Sequence, residues 1–177
     1  PTGPCGAREL ALAGLKMEQL QGNPRFEAEW TRFSGLRQSG IFAAHHASVE
    51  DGLLKSVWPY PPASPAWNAQ GHEVAAWGPW LDTRRLFERI FPSLESYKLG
   101  ELLARFELLP LVQQEAAGRC PKERGVFHCA LYDAIGAAVL LQYLLQLPGF
   151  GEASAEWLLA ESAGSETTRK ARKQQRL

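Results

Sequence analysis

Cysteine is scarce: Cys5, Cys120 and Cys129 are the only three in 177 residues. A small, odd number builds no disulfide framework, and the expected setting is a reducing compartment, the cytoplasm. Long apolar runs are lacking too. The most hydrophobic stretch, Ala134 to Leu147, is interrupted by Gln142 and Gln146. As a helix it would reach about 21 Å, short of the roughly 30 Å hydrocarbon core of a bilayer, so no membrane partner is expected. No signal peptide opens the chain, which begins Pro1-Thr2-Gly3-Pro4 without an initiator methionine. Nor does one sign of charge prevail: 19 Lys and Arg balance 19 Asp and Glu, so net charge names no partner.

What is present is ordinary for a soluble globular protein: 45% hydrophobic and 21% charged residues, in a length that suits one domain. The neutral total hides an asymmetry. Residues 165–177 hold five basic side chains (Arg169, Lys170, Arg172, Lys173 and Arg176) against Glu166, a net of +4 that leaves −4 for the rest. The expected organisation is one domain over 1–164 and a basic, disordered tail over 165–177.

Apolar spacing predicts a helix over 8–21, ended by Gly22-Asn23-Pro24, and a second, amphipathic one carrying Phe26, Trp30, Phe33 and Leu36. Ile41-Phe42-Ala43-Ala44 is a short continuous apolar run that suits a buried strand. A helix follows from Val49 to Val57. Residues 58–72, with Pro59, Pro61, Pro62, Pro65 and Gly71, read as a long irregular loop. A second strand is expected over Val74–Trp77. Asp82-Thr83 stands where an N-cap belongs, ahead of Leu86, Phe87 and Ile90. Further helices are expected at Leu99–Phe106, Leu111–Ala117, Cys129–Leu147 and near Trp157. The pattern is α/β with helices dominating.

The helix from Cys129 is apolar nearly all round, which predicts burial in the middle of the domain. Asp133 is the only charge between Arg124 and Glu152. A buried carboxylate needs a cation, a proton or a metal, although facing the positive end of its own helix would also serve it. His128 precedes it by five residues, spelling H-x-A-x-x-D. Within one helix five steps would leave the side chains ~140° apart, so they converge only if His128 sits on the loop entering the helix. Gly125-Val126-Phe127 allows that. Cys120, His128 and Cys129 match no standard zinc spacing and lack a fourth ligand. The aromatics Trp58, Tyr60, Trp67, Trp77 and Trp80 are read as pins for the proline-rich loop rather than as a base-stacking platform.

The H-x-A-x-x-D motif resembles the third signature of the DEDDh exonucleases, the family of RNase T, oligoribonuclease and the proofreading epsilon subunit of DNA polymerase III. Upstream, Phe42-Ala43-Ala44-His45-His46-Ala47-Ser48-Val49-Glu50-Asp51-Gly52-Leu53-Leu54 is similar to their strand running into H-N-A-x-F-D. His46 replaces the asparagine, Val49 the phenylalanine, and Glu50 falls on the metal-binding aspartate. Trp80-Leu81-Asp82-Thr83-Arg84-Arg85-Leu86 resembles their strand-to-helix D-T segment, and Pro92 to Leu102 their P-x-L-x-x-Y-x-L-x-x-L stretch. The resemblance runs from about residue 10 to residue 147. It implies an RNase H-like exonuclease fold and a 3′-to-5′ hydrolase of the terminal phosphodiester in single-stranded DNA or RNA. It further implies two Mg²⁺ (or Mn²⁺) ions with Glu50 and Asp133 among their ligands, His128 as general base, and substrate contacts at His45, His46, Ala47 and Leu53. The implied partners are single-stranded nucleic acid and, beyond it, a DNA polymerase or a homodimer mate.

One signature is missing. The family's first strand carries D-x-E, and the only E-x-E here, Glu27-Ala28-Glu29, lies in the amphipathic second helix, where residues two apart point different ways. The expectation is that the first strands lie outside this chain, which leaves helices dominant and residues 1–177 alone inactive. The rival expectation is a catalytically inactive nucleic-acid-binding or protein-interaction module on the same scaffold.

Overall fold

The computed structural model describes residues 6–12, 14–69 and 71–163. The expected tail over 165–177 and Cys5 lie outside the described residues. Within them the chain is mixed α/β, 54% helical with little sheet. No described helix is long and apolar enough to cross a membrane.

Two elements replace the single expected first helix: α1 (Ala7–Leu12) and α2 (Met17–Leu20). Gly14 separates them at φ +61°, a left-handed turn that no helix interior accommodates. A 3-10 turn, Phe26–Glu29, leads into α3 (Trp30–Ser39), and β1 (Phe42–Ala44) follows. Next come α4 (Ser48–Val57), β2 (Ala63–Pro65), β3 (Glu73–Ala75) and β4 (Trp80–Asp82). The helices α5 (Thr83–Ile90), α6 (Leu99–Arg105), α7 (Leu109–Ala116), α8 (Ala130–Gln146) and α9 (Ala155–Ser162) complete the described chain.

β1 and β4 pair in parallel, with Phe42, Ala43 and Ala44 opposite Trp80, Leu81 and Asp82. Parallel strands release their C-terminal ends on the same side. The turn into α4 and the start of α5 therefore lie next to each other, which is where open α/β sheets place their ligands. β1 was expected to be buried. It has β4 as its one strand neighbour among the described residues, and Ala43 is exposed. The proline-rich stretch is more regular than expected, because β2 pairs antiparallel with β3, and the expected Val74–Trp77 strand shifts to Glu73–Ala75. Pro65 is tolerated there because it sits in a two-stranded ribbon, where each strand has one free edge.

The main core gathers Leu86 and Phe87 of α5, Leu102 and Leu103 of α6, Val112 of α7, and Leu140 and Leu144 of α8, all essentially inaccessible. Gly136 lets α6 approach α8: a Cβ there would meet Leu103 Cδ1 at 3.0 Å and Leu99 Cδ2 at 3.4 Å. The expectation that α8 is buried on every side is not met. Leu131 is 50% exposed, and Ala134 and Ala138 are exposed as well. The elements packed on α8 are α5, α6, α7 and β1, and they cover Tyr132, Ala137, Val139, Leu140 and Leu144 while leaving the other stripe bare. α9 closes the far side of β4 and α5, where Ser162 Oγ donates to the Trp80 carbonyl at 3.2 Å and Arg89 pairs with Glu161 at 2.9 Å.

A second, aromatic core joins α3 and α4 to the loop. Trp77 is fully buried, and Trp58 lies 4.9 Å from Phe26, 5.4 Å from Phe33 and 5.7 Å from Trp77 between ring centroids. Arg37 of α3 is also fully buried, facing no carboxylate. Its guanidinium donates to the carbonyls of Ala76 (3.1 Å), Gly78 (2.6 Å) and Pro65 (3.3 Å) instead. Those carbonyls have no ladder partner to lose, and the arginine ties both arms of the β2–β3 segment to α3.

Candidate functional site

Asp82 ends β4 and is the N-cap of α5, accepting from the amides of Arg84 (3.0 Å) and Arg85 (3.3 Å). A buried carboxylate has more acceptor capacity than one cap uses. The remainder goes across the sheet, where Asp82 also accepts from the amides of His46 (3.1 Å) and Ala47 (3.0 Å), the turn between β1 and α4. His46 sits at φ +70°, a left-handed conformation that costs an ordinary L-residue about 1–2 kcal/mol. One carboxylate thus pins two helix starts and the strained turn between them. Ala47 is buried with its amide on Asp82.

His45 faces inward. Its Nε2 lies 2.8 Å from the Tyr97 carbonyl, which can only accept, so Nε2 carries the proton. Nδ1 lies 3.0 Å from Thr83 Oγ1, whose hydroxyl also lies 3.4 Å from the Ala44 carbonyl. Burial, the largest influence, lowers the pKa of the ring. Expected as a substrate contact, His45 has both ring nitrogens engaged by the protein and links the β1–α4 turn to the chain ahead of α6.

Glu50 stands in the first turn of α4, half-buried, and its Oε2 is enclosed with no hydrogen-bond partner. Burial first, then the negative charges of Asp82 and Asp133, push its carboxyl above the ordinary range. Asp133 stands in the first turn of α8, half-buried, and accepts from the backbone amide of His128 at 3.3 and 3.2 Å. Burial raises its pKa as well, opposed by that amide and by the nearby His128 and His45 rings. Cys129 is the N-cap of α8, which places His128 on the loop entering the helix, exposed and again at φ +70°. The two residues therefore meet as their spacing requires, through the backbone of His128, with its ring left toward solvent. Leu53, 55% exposed, lies three residues from Glu50 on the same side of α4.

Asp51, next to Glu50 in sequence, is occupied elsewhere: it accepts from Trp80 Nε1 at 3.0 Å and pairs with Lys55. The two neighbours should therefore respond oppositely to neutralisation. Glu50 has a folded pKa above its ordinary 4.5. Its favourable contribution is present below the unfolded pKa and is lost as pH rises through the folded one. Glu50→Gln is expected to raise Tm near neutral pH and to give no gain well below pH 4.5. Asp51→Ala is expected to lower stability by about 1 kcal/mol through loss of the Trp80 bond. Thermal melts at the two pH values decide it, and a lower Tm for Glu50→Gln near neutral pH would mean that its charge has a partner.

Glu50 and Asp133 repel each other, and one of their oxygens is enclosed without a donor. A cation would relieve both conditions, so this pair fits as part of a divalent-metal site. It does not complete one. Among the described residues no group of three or more His, Cys, Asp or Glu is arranged to hold a metal ion, and a hard dication requires more oxygens than two carboxylates supply. Neither Cys120, half-buried, nor Cys129, buried, joins His128 in such a group.

The chain matches no known protein family, no curated protein and no solved structure.

Sequence reasoning assigned Asp82 to the cap of α5 and missed its grip on the β1–α4 turn. The signal for the first function is local, an Asp-Thr ahead of an amphipathic run. For the second it is the parallel pairing of β1 with β4, which no local pattern encodes.

Proposed function

We propose that the chain carries part of the catalytic domain of a metal-dependent 3′-to-5′ exonuclease with an RNase H-like fold, acting on the terminal phosphodiester of single-stranded DNA or RNA. The observation that supports this reading best is that Asp133, at the start of α8, holds the His128 backbone amide and lies within electrostatic reach of Glu50 at the start of α4. Glu50 and Asp133 would hold Mg²⁺ or Mn²⁺, which when bound stabilises the attacking and leaving oxygens of a phosphoryl transfer. His128, outside its helix and open to solvent, would take the proton from the attacking water as general base. The exposed Leu53 side chain and the His46 turn border the same place and would contact the terminal nucleotide. Two ions require more carboxylates than Glu50 and Asp133 supply.

A second reading, an inactive nucleic-acid-binding module on the same scaffold, is favoured by the lack of any three-ligand group among the described residues. A single-stranded oligonucleotide labelled at its 5′ end separates the two. Residues 1–177 alone should leave it intact in Mg²⁺ or Mn²⁺. The same chain, extended by the sequence encoded ahead of Pro1, should shorten it stepwise from the 3′ end. Failure of the extended protein to cut with either metal would establish the second reading. Trimming by residues 1–177, absent in Asp133→Asn, would show that the carboxylates already present suffice.

A further inference from the structure

α4 begins without a cap of its own. Ala47 stands at its N-cap position, and a methyl group accepts no hydrogen bond. The donors at this helix start turn to another element instead. The Ala47 amide reaches Asp82 Oδ2 at 3.0 Å, and the His46 amide reaches Asp82 Oδ1 at 3.1 Å. Asp82 ends β4 and already caps α5 through the Arg84 and Arg85 amides on Oδ1. One buried carboxylate therefore serves two helix starts, each of which ordinarily uses a side chain of its own.

Asp82 has nothing left for a cation. Four amides and the Arg85 guanidinium, 3.5 Å from Oδ2, surround a group with about four acceptor sites. What it governs is a neighbour. The Asp51 amide donates to the Ala47 carbonyl at 2.9 Å, closing the first turn of α4, and that turn carries Glu50. Ahead of it, His46 is held at φ +70°, a conformation that persists only while its surroundings enforce it. Asp82 supplies that enforcement from across the sheet. Its negative charge is also felt at Glu50, beside the larger influence of burial, which places the two carboxylates in one neighbourhood.

We propose that Asp82 is a positioning residue for metal binding: by holding the Ala47 amide it fixes where α4 starts, and so where Glu50 stands relative to Asp133. The inference rests on the metal-binding function proposed for that pair and assigns Asp82 to it without making Asp82 a ligand. An ordinary cap would affect stability alone, whereas a positioning residue also sets the affinity for the ion.

The probe is Mn²⁺ alone, titrated into the full 177-residue chain and followed by the broadening of backbone amide resonances, which requires no hydrolysis. In the wild type, amides about Glu50 and about Asp133 should broaden together. Asp82→Asn is the selective variant. Its oxygen stays with the three amides on Oδ1, and its NH₂ group then faces the Ala47 amide, donor against donor, so α5 keeps its cap and α4 loses its hold. A backbone ester in place of the Ala47 amide deletes the same bond from the other end, and it decides alone if the asparagine variant does not fold. At a temperature where each protein is folded, both changes should weaken Mn²⁺ binding roughly tenfold or more and confine the remaining broadening to the residues about Asp133. Wild-type affinity and an unchanged broadening pattern in the ester protein would overturn the proposal and leave the metal site standing. No broadening about Glu50 or Asp133 in the wild type would remove the metal site itself, and the role of Asp82 with it.

Discussion

His128→Ala, in the form of the protein that hydrolyses oligonucleotides, is expected to lower kcat by about a hundredfold or more, since general-base catalysis is typically worth 10²–10⁴. The His128 side chain is exposed and outside α8, while the bond that holds Asp133 comes from the His128 backbone, so removing the ring leaves that anchor in place. The left-handed φ of +70° complicates an alanine there, because a Cβ is disfavoured in that conformation. His128→Gly answers this, since glycine adopts the conformation without strain and still lacks the imidazole. Both variants should be equally slow. Recovery in the glycine variant would assign the effect to the backbone. Asp133→Asn should abolish turnover at any Mg²⁺ or Mn²⁺ concentration. Near-normal rates in His128→Ala and Asp133→Asn together would remove both residues from the mechanism.

The second large effect is on stability. Asp82→Ala is expected to destabilise the domain by about 4 kcal/mol, from a total that is typically ~5–15 kcal/mol. Four amide donors lose their acceptor at once: Arg84 and Arg85 at the start of α5, and His46 and Ala47 in the turn before α4. Losing a helix cap costs about 1 kcal/mol. Each enclosed amide left unpaired costs about 1–3 kcal/mol, and the turn that suffers is the one already carrying a left-handed residue. Asp82→Ser separates the contributions, because a serine hydroxyl can cap α5 and cannot also reach the turn. It should recover about 1 kcal/mol of the loss. Chemical denaturation of the three proteins measures this, and an alanine variant within about 1 kcal/mol of wild type would show that the β1–α4 turn holds itself.

Much of the helical framework was legible because its signals are local. The Asp82-Thr83 cap, the proline that follows α5, the long apolar run of α8 and the Pro148-Gly149 stop each act within one or two turns of chain, and the helices end where these residues place them. The same holds for His128 and Asp133: a glycine and a bulky pair before Cys129 keep the histidine out of the helix, and a five-residue spacing then brings the two together. Local signals also misled. The periodicity of residues 8–21 ran across Gly14, whose left-handed backbone divides the segment in two.

Only the tertiary structure decided the rest, because burial and hydrogen bonding across the chain depend on what packs opposite. No local pattern singles out Arg37, yet carbonyls 28 to 41 residues away enclose it. An all-apolar α8 implied cover on every side, and its neighbours cover one side. Five loop aromatics looked alike until the aromatic core and the main core took up four of them, leaving Tyr60 outside. Glu50 and Asp51, adjacent and chemically alike, were separated by ~100° of helix, which turned one carboxylate to an indole and a lysine and left one oxygen of the other enclosed without a donor.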